Sequence, residues 1–311
     1  MRVLLLGANG QVGTELRRSL PAVGEVIPAT RSGQLPDGTP CEAVDLAALA
    51  TLPGALGRIR PDVVVNAAAY TAVDRAESEA ERAYRINAEA PGLLAGACRE
   101  EGIALVHYST DYVFDGRGLR PYREDDRTDP QNVYGASKLA GEQAITASGA
   151  EHLILRTAWV YGLHGHNFLR TMLRLGAERD ALDVVDDQRG CPTPSWLIAD
   201  ATASLLGADV PANGIVHLVA TGETSWHGFA QAIFEDAVAT GRLEHAPDLR
   251  PVPSSHYPTP VRRPAYSVLD TLRLQGTFGV GLPHWREALA RTMGPRGPQR
   301  PVRRAGDDSV S

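Results

Sequence analysis

The sequence has few cysteines, no long apolar run and no excess of positive charge, and each shortage excludes a class of protein. The three cysteines, Cys41, Cys98 and Cys191, are odd in number and far apart, which argues against a disulfide framework and a zinc site. A reducing cytoplasm is therefore the expected location. No stretch approaches the roughly 18 consecutive apolar residues of a membrane-spanning helix, so we expect no membrane segment.

Composition and charge are those of an ordinary globular protein. The 311 residues are 43% hydrophobic and 22% charged, and the formal net charge is −6. Basic residues form no cluster before the C-terminal tail, so nucleic acid is not expected as a partner. The length suffices for one large or two modest domains with a sizeable buried core.

The N-terminus combines an apolar strand, a glycine-rich turn and a helix. Residues 2–6 are typical of a buried parallel strand, and residues 14–20 continue as a helix. Glycines between them let the backbone turn tightly and approach a pyrophosphate, which then lies at the helix N-terminus. We predict that this turn binds a dinucleotide, and a glycine turn that binds nothing is the weaker alternative. The predicted contacts are Gly7, Asn9, Gly10, Gln11, Val12 and Gly13.

The residues after the second strand favour NADPH over NADH. NAD-preferring sites place an acidic residue about 20 positions beyond the glycine loop, where this chain has Thr30, Arg31 and Ser32. The Arg31 guanidinium suits a 2′-phosphate, although a solvated surface arginine fits equally well and NADH stays an alternative. Further predicted cofactor contacts are Asp45 at the adenine edge, Leu46, Ala67, Ala68 and Ala69. The three alanines would equally suit tight core packing.

Tyr134 and Lys138 are the leading catalytic candidates. They stand four residues apart in a helix predicted over 132–148, so both side chains leave the same face. A nearby ammonium favours the phenolate and is expected to lower the pKa of Tyr134, which makes the phenol a usable proton donor. Thr110 and Asp111 follow an apolar strand, at the edge where open α/β sheets bind ligands. Thr110 would offer its hydroxyl to a substrate oxygen, and Asp111 would position it or cap a turn.

The remaining chain predicts an α/β fold with several less regular parts. Residues 74–100 read as one long alanine-rich helix, in which an inward Asn87 is more apt to bond backbone groups than to do chemistry. Residues 250–264 are proline-rich and are predicted to be irregular. The tail, 294–311, is rich in proline, arginine and polar residues and is predicted to be disordered.

Together these motifs resemble the extended short-chain dehydrogenase/reductase superfamily, and within it the dTDP-4-dehydrorhamnose reductase family. The resemblance covers roughly residues 1–293, in order and at family spacing. The matching strings are GANGQVG (7–13), TAVDRAE (71–77), STDYVFDG (109–116), NVYGASKLAGE (132–142), RTAWVYG (156–162), DQRGCPT (187–193) and RRP (262–264).

The resemblance implies a Rossmann-type doubly wound parallel sheet and a smaller C-terminal α/β substrate domain. The NADP-binding Rossmann domain would span 1–162, with a returning segment at 193–222. The sugar-nucleotide-binding domain would comprise 163–192 and 223–293.

The activity implied is NADPH-dependent reduction of the C4 ketone of dTDP-4-dehydro-β-L-rhamnose to dTDP-L-rhamnose. Tyr134 would donate a proton to the C4 oxygen as hydride reaches C4. Lys138 would hold the nicotinamide ribose and tune Tyr134, while Thr110 bonds the substrate oxygen. Asp111 and Trp159 would contact the sugar.

Two further activities fit the same motifs. The substrate would otherwise be another dTDP-4-keto-deoxyhexose of antibiotic sugar pathways, since pocket shape sets such discrimination. A non-catalytic nucleotide-binding regulatory subunit shares the fold, but the intact Tyr134 and Lys138 weigh against it. Tyr112 stands where dehydratase relatives carry glutamate, which favours reduction over dehydration or epimerisation. The chain is expected to act as a monomer or a homodimer.

Magnesium is allowed by the resemblance but not required. Some family members bind it between subunits through glutamates, one of which matches Glu15. Their C-terminal ligand has no secure counterpart here, and Glu287 is only a guess. A solvated Glu15 on the first helix is the favoured interpretation, so no metal site is predicted.

Overall fold

The computed structural model describes residues 1–208, 213–257 and 259–294. The disorder predicted for the tail, 294–311, falls outside these residues except at Gly294. The strands are β1 (Arg2–Leu6), β2 (Glu25–Thr30), β3 (Glu42–Ala43), β4 (Val63–Asn66), β5 (Ala104–Thr110), β6 (His152–Thr157), β7 (Val160–Tyr161), β8 (Ala181–Val185), β9 (Arg189–Gly190), β10 (Thr193–Pro194), β11 (Gly214–His217), β12 (Thr224–Ser225) and β13 (Asp248–Val252). The helices are α1 (Gln11–Ser19), α2 (Leu52–Ile59), α3 (Val73–Ala76), α4 (Ala80–Tyr84), α5 (Ala90–Glu101), α6 (Val133–Ser148), α7 (Phe168–Glu178), α8 (Ser195–Leu206), α9 (Trp226–Ala239), α10 (Leu272–Phe278) and α11 (Trp285–Met293).

A seven-stranded sheet organises the N-terminal half, in the order β11-β6-β5-β4-β1-β2-β3. All of its pairings are parallel. The chain proceeds outward from β1 in both directions, so β1 and β4 form a topological switch point, where ligands bind in open sheets. The strands β1, β4 and β5 are almost wholly buried, as parallel strands covered by helices on both faces must be. The predicted doubly wound α/β fold is confirmed.

The C-terminal part builds a second, smaller apolar cluster. Phe229 and Ile233 of α9, Leu169 of α7 and Leu289 of α11 pack there against Leu182 of β8. The strand β11 and the helix α8, by contrast, join the large sheet and its helical layer, and both fall within the returning segment predicted at 193–222. The division into two domains itself stays a prediction. No helix among the described residues is long and apolar enough to cross a membrane.

The prediction of an irregular chain from residue 250 onward is wrong at its start. Residues Asp248–Val252 form β13, which pairs in parallel with β8. This small sheet has only two strands, so Pro251 can occupy β13 without removing a hydrogen bond from an inner strand.

The single helix predicted over 74–100 is also wrong. The segment is divided into α3, α4, a π-helical turn at Arg85–Glu89 and α5. The widened turn carries the fully buried Asn87, whose side chain accepts from Tyr70 N at 2.8 Å and donates to Tyr70 O at 3.0 Å. Asn87 Nδ2 also donates to Ser137 Oγ at 3.0 Å. The inward Asn87 therefore satisfies backbone groups, as predicted, from a π-helical turn between the contiguous helices α4 and α5. The interruption of the expected helix lies at 77–79, between α3 and α4.

A buried ion pair attaches α6 to the sheet. Arg156 of β6 donates from Nε to Glu142 Oε1 at 2.9 Å and from Nη2 to Glu142 Oε2 at 2.7 Å, with both side chains at most 3% exposed. Arg156 also donates to Glu124 O at 3.3 Å and lies over the Phe114 ring. Such paired, hydrogen-bonded charges are tolerated inside a protein only while both partners are present.

We predict that Glu142→Gln lowers the free energy of unfolding by about 3 kcal/mol, because it leaves the buried Arg156 charge uncompensated. Urea denaturation at neutral pH measures the loss. The matched control is Glu178→Gln, which breaks the exposed pair of Arg174 and Glu178 and is expected to cost less than about 1 kcal/mol. Equal losses in the two variants would contradict the importance of the buried pair.

Candidate active site

The glycine loop brings three pieces of backbone into contact at the switch point. Gly7 has φ +75°, and a Cβ on it would lie 2.7 Å from Ala68 N. A Cβ on Gly13 would lie 2.1 Å from Gly7 O. Only glycine tolerates these approaches, which pack α1 onto β1 and onto the chain after β4.

The N-terminus of α1 opens onto the same edge. Its first turn follows Gly10, which offers no side chain to cap the free N–H groups, so they are suited to an anion. The loop at 162–167 is attached beside them. His164 Nε2 lies 3.0 Å from Gln11 O, and Asn167 Nδ2 donates to Gln11 Oε1 at 2.7 Å.

The other predicted cofactor residues follow β2, β3 and β4 and so lie at the same sheet edge. Arg31 is exposed directly after β2, and Leu46 is buried. Asp45 Oδ1 accepts from Ala47 N at 2.9 Å, which leaves its other oxygen for a ligand. Residues 67–69 continue from β4. Their contact with a cofactor stays a prediction.

Tyr134 and Lys138 project from the first two turns of α6. The helix begins where predicted, because Asn132 caps it by accepting from Gly135 N at 2.8 Å. Lys138 is only 2% exposed, and its Nζ lies 2.6 Å from Tyr108 O. The half-buried Tyr134 ring packs edge to face against Tyr112 at 5.6 Å.

The pKa of Tyr134 moves opposite to the sequence-based prediction. Burial raises the pKa of Tyr134 to about 12, and hydrogen bonding with Thr110 offsets only part of the rise. The expected lowering by Lys138 is wrong, because its Nζ is directed to Tyr108 O and His107. Burial also lowers the pKa of Lys138 to about 8. Tyr134 therefore keeps its proton throughout the neutral range, as a proton donor must.

Thr110 and Asp111 form a coupled pair at the end of β5. Thr110 Oγ1 donates to Asp111 Oδ1 at 3.0 Å and accepts from Tyr112 N at 3.2 Å, so Thr110 and not Asp111 caps the turn. Asp111 is 2% exposed, and its Oδ2 has no hydrogen-bond partner among the described residues. Burial raises the pKa of Asp111 to about 6. A buried carboxyl group with one oxygen that lacks a partner can form a hydrogen bond with a polar group of a ligand.

Trp159, predicted to contact the sugar, lies just beyond β6 in a strained conformation. Its φ is +47°, a backbone conformation that residues other than glycine rarely adopt. Its ring stacks on Trp226 with centroids 3.5 Å apart, and a Cβ on Gly190 would meet the same ring at 2.4 Å. The ring is thus packed between Trp226 and Gly190, and the sugar contact stays a prediction.

The expectation of a solvated Glu15 is wrong. Glu15 is 4% exposed, accepts from Arg18 Nη1 at 2.8 Å and lies 3.5 Å from His164 Nδ1. Glu287, the guessed second ligand, is exposed on α11. Within residues 1–208, 213–257 and 259–294, no group of three or more His, Cys, Asp or Glu side chains is placed to hold a metal.

Sequence reasoning missed the partners of Lys138. His107 Nε2 lies 3.0 Å from Lys138 Nζ, and His107 Nδ1 lies 3.1 Å from Asn66 Nδ2. The available signal was a single polar side chain, Asn66, at the end of the apolar strand β4, and His107 directly after the apolar start of β5. A buried polar group in such a strand requires a partner.

The chain matches the family model described as RmlD substrate binding domain over residues 1–296. A protein of Burkholderia thailandensis named dTDP-4-dehydrorhamnose reductase is 47% identical, covering 93% of this chain and 97% of its own. A Salmonella typhimurium protein of the same name is 44% identical, covering 94% and 97%.

Solved structures show the same similarity. A dTDP-4-dehydrorhamnose reductase from Clostridium acetobutylicum superposes with a TM-score of 0.85 at 36% identity, covering 94% of this chain and 98% of that one. The dTDP-4-dehydrorhamnose reductase from Bacillus anthracis, solved in complex with NADP, superposes with a TM-score of 0.84 at 36% identity and with the same coverage. A UDP-glucose 4-epimerase from Thermus thermophilus, at 24% identity, covers 94% and 98% with a TM-score of 0.75 and shares the fold alone.

The raised pKa of Asp111 predicts a pH-dependent stability. Between the unfolded pKa near 3.8 and the folded pKa near 6, the folded state binds the proton more tightly, so stability falls as pH rises through this window. At pH values above this window, Asp111 is a buried carboxylate, and Asp111→Asn is expected to raise the free energy of unfolding by up to roughly 3 kcal/mol.

Urea denaturation of both proteins at about pH 4 and pH 8 measures the difference, which should disappear at the lower pH. A gain of equal size at both pH values would mean that ionisation of Asp111 is not its cause.

Proposed function

The chain belongs to the RmlD substrate binding domain family, and we propose that it catalyses NADPH-dependent reduction of the C4 ketone of dTDP-4-dehydro-β-L-rhamnose to dTDP-L-rhamnose. The observation that carries the proposal is the Tyr134 hydroxyl within hydrogen-bond reach of Thr110, at the sheet edge that the glycine loop opens, where burial raises the pKa of Tyr134. The relatives bearing this enzyme name align over nearly their whole length, which supports the same chemistry here.

The reaction needs one hydride and one proton, and this chain's residues supply the proton. NADPH, when bound, delivers hydride to C4. Tyr134 donates its phenolic proton to the C4 oxygen, which would otherwise become an alkoxide. Thr110 would turn its hydroxyl proton, which Asp111 accepts in the structure, to the same oxygen. Asp111 and Trp159 would contact the sugar. Lys138 lies one helical turn from Tyr134 and would hold the nicotinamide ribose.

The glycine loop is the proposed dinucleotide site. Its close backbone packing leaves the uncapped N-terminus of α1 facing the pyrophosphate position. Asp45 would lie at the adenine edge with Leu46, and the alanines at 67–69 would leave room for the nucleotide. Arg31 is exposed directly beyond β2, where a 2′-phosphate would lie, so NADPH is preferred and NADH is the alternative.

The alternative substrate is another dTDP-4-keto-deoxyhexose. The motif residues do not distinguish these two substrates, because discrimination between them depends on the shape of the sugar pocket. We place the enzyme in the cytoplasm, with the nucleotide sugar as its small-molecule partner, and as a monomer or homodimer. A non-catalytic regulatory subunit would have no use for a buried lysine beside a donor tyrosine, since such burial is costly.

We expect the purified chain alone to oxidise NADPH with dTDP-4-dehydro-β-L-rhamnose and to release the 4-hydroxy sugar with its dTDP intact. Tyr134→Phe should lower kcat by a factor of roughly 10² or more with NADPH binding preserved, because only the proton donor is lost. NADPH absorbance gives the rate, and NMR of the product gives its stereochemistry.

Tyr84→Phe, at an exposed tyrosine of α4, is the matched control and should behave as wild type. Background oxidation with every 4-keto sugar of a panel, together with tight NADPH binding, would favour the regulatory-subunit interpretation.

We expect Arg31→Ala to lower kcat/KM for NADPH and to leave that for NADH nearly unchanged, because the guanidinium pairs only with the 2′-phosphate. A loss of roughly tenfold corresponds to one charge-assisted contact of about 1.4 kcal/mol. Arg99→Ala is the control, since Arg99 lies in the last turn of α5, ahead of the amino end of β5 and so at the opposite edge of the sheet. If the NADPH-to-NADH ratio does not move, Arg31 is only a surface charge.

A further inference from the structure

Two tryptophans meet beyond the carboxyl edge of the sheet, and only one of them has a role in the mechanism above. Trp159 follows the end of β6, where Thr157 pairs with Thr110 of β5. Trp226 is the first residue of α9 and belongs to the smaller C-terminal apolar cluster. The two rings are parallel, with centroids 3.5 Å apart. The stack therefore joins the edge of the large sheet to the C-terminal cluster.

Two short strand pairings fix the backbone on both sides of this stack. The strand β10 pairs in parallel with β7, which begins directly after Trp159. The strand β9 pairs in antiparallel fashion with β12, which ends directly before Trp226. Both β9 and β10 belong to the segment 189–194, so one stretch of chain holds the two tryptophans at a fixed separation.

Trp226 has a complete set of neighbours. Phe168 of α7 packs against its ring at a centroid distance of 4.6 Å, in addition to the stack on Trp159. Its Nε1 donates to Gln188 Oε1 at 3.2 Å, so the polar end of the indole is paired as well. These contacts leave Trp226 little freedom to turn and make it a rigid support.

Trp159 relies on such a support. Its φ of +47° is a conformation that persists only where neighbouring contacts hold it. The stack on Trp226 and the close approach of Gly190, where a Cβ would lie 2.4 Å from the ring, orient the indole. The side chain nevertheless stays partly exposed. It is therefore held in place and still accessible to a ligand.

We propose that Trp226 is a positioning residue for the sugar: it fixes the plane of the Trp159 ring, which forms one wall of the sugar subsite. The inference rests on the proposed function, which gives Trp159 the contact with the sugar. A 6-deoxy sugar presents a methyl group and ring C–H groups, for which a flat aromatic surface is suited. Because the ring is fixed before the sugar arrives, binding loses less conformational freedom.

The stack can be observed in the ligand-free protein by ¹H–¹⁵N NMR of labelled tryptophan side chains. A ring stacked face to face lies in the shielding region of its neighbour. The Trp159 indole N–H signal should therefore lie upfield in the wild type and move downfield in Trp226→Leu. Trp159→Phe assigns this signal by its loss, and Trp196, whose ring packs against the Arg291 guanidinium, gives the control signal. A Trp159 signal that does not respond to Trp226→Leu would overturn the proposal.

The effect on the sugar is tested with two ligands of the NADPH-loaded protein, dTDP-L-rhamnose and dTDP. No reaction occurs, since cofactor and sugar are both reduced, and the ratio of the two dissociation constants isolates the contribution of the sugar. In Trp226→Leu we expect the preference for dTDP-L-rhamnose to fall by roughly fivefold or more, with the affinity for dTDP unchanged, because an aromatic contact is lost.

Trp226→Phe is the matched control, because it keeps an aromatic face against Trp159 and should retain most of the preference. A protein that is merely destabilised would lose affinity for both ligands, and that result would overturn the positioning role.

Trp159→Leu and the double variant complete a double-mutant cycle. If Trp226 acts through Trp159, Trp226→Leu should cause no further loss in the Trp159→Leu background. A loss that persists there, or an unchanged preference in Trp226→Leu alone, would overturn the inference while leaving the proposed function intact. Equal affinities of the wild-type protein for dTDP-L-rhamnose and dTDP would instead refute the proposed sugar substrate, and the inference with it.

Discussion

The fit of α6 against the sheet is the constraint on which the site depends. Two of its glycines meet backbone where a side chain would collide: a Cβ on Gly135 would lie 2.2 Å from Tyr112 O, and one on Gly141 would lie 2.1 Å from Asn87 O. The buried pair of Glu142 and Arg156 then fixes the helix along its axis. Lys138, between the two glycines, is thereby brought within hydrogen-bond distance of a strand carbonyl.

This fit has an electrostatic consequence. A helix so close to the sheet removes water from its inner face, and the desolvation acts on each titratable group there. It raises the pKa of Tyr134 and Asp111 and lowers that of Lys138, so all three shift toward their neutral forms. A neutral phenol holds the proton that reduction of a ketone consumes. Burial, more than pairing of charges, therefore determines the protonation states of this site.

The sequence predicts the elements whose causes are local. Apolar runs predict β1 and β5, because such runs depend on neighbours in the chain. The helix predicted over 132–148 agrees with α6. The long helix expected over 74–100 is interrupted at 77–79, and a π-helical turn follows at Arg85–Glu89, where Asn87 bonds Tyr70, a contact that the helical pattern does not indicate. The prediction of a solvated Glu15 fails for a non-local reason, because the loop at 162–167, more than a hundred residues away in the sequence, covers it. The pKa of Tyr134 was unpredictable in sign without knowing its burial and the direction of Lys138.

His107 shows why the sequence alone does not identify every residue of the site. The candidates that the sequence identified lie where strands end or helices begin, because such positions project into a cleft. His107 lies inside a strand, and its meaning depends on the parallel register that places Asn66 opposite it. A shift of one residue in that register would turn the two side chains to opposite faces of the sheet. The strand pairing that builds the core therefore also places His107 between Asn66 and Lys138, a contact that the motif residues do not indicate.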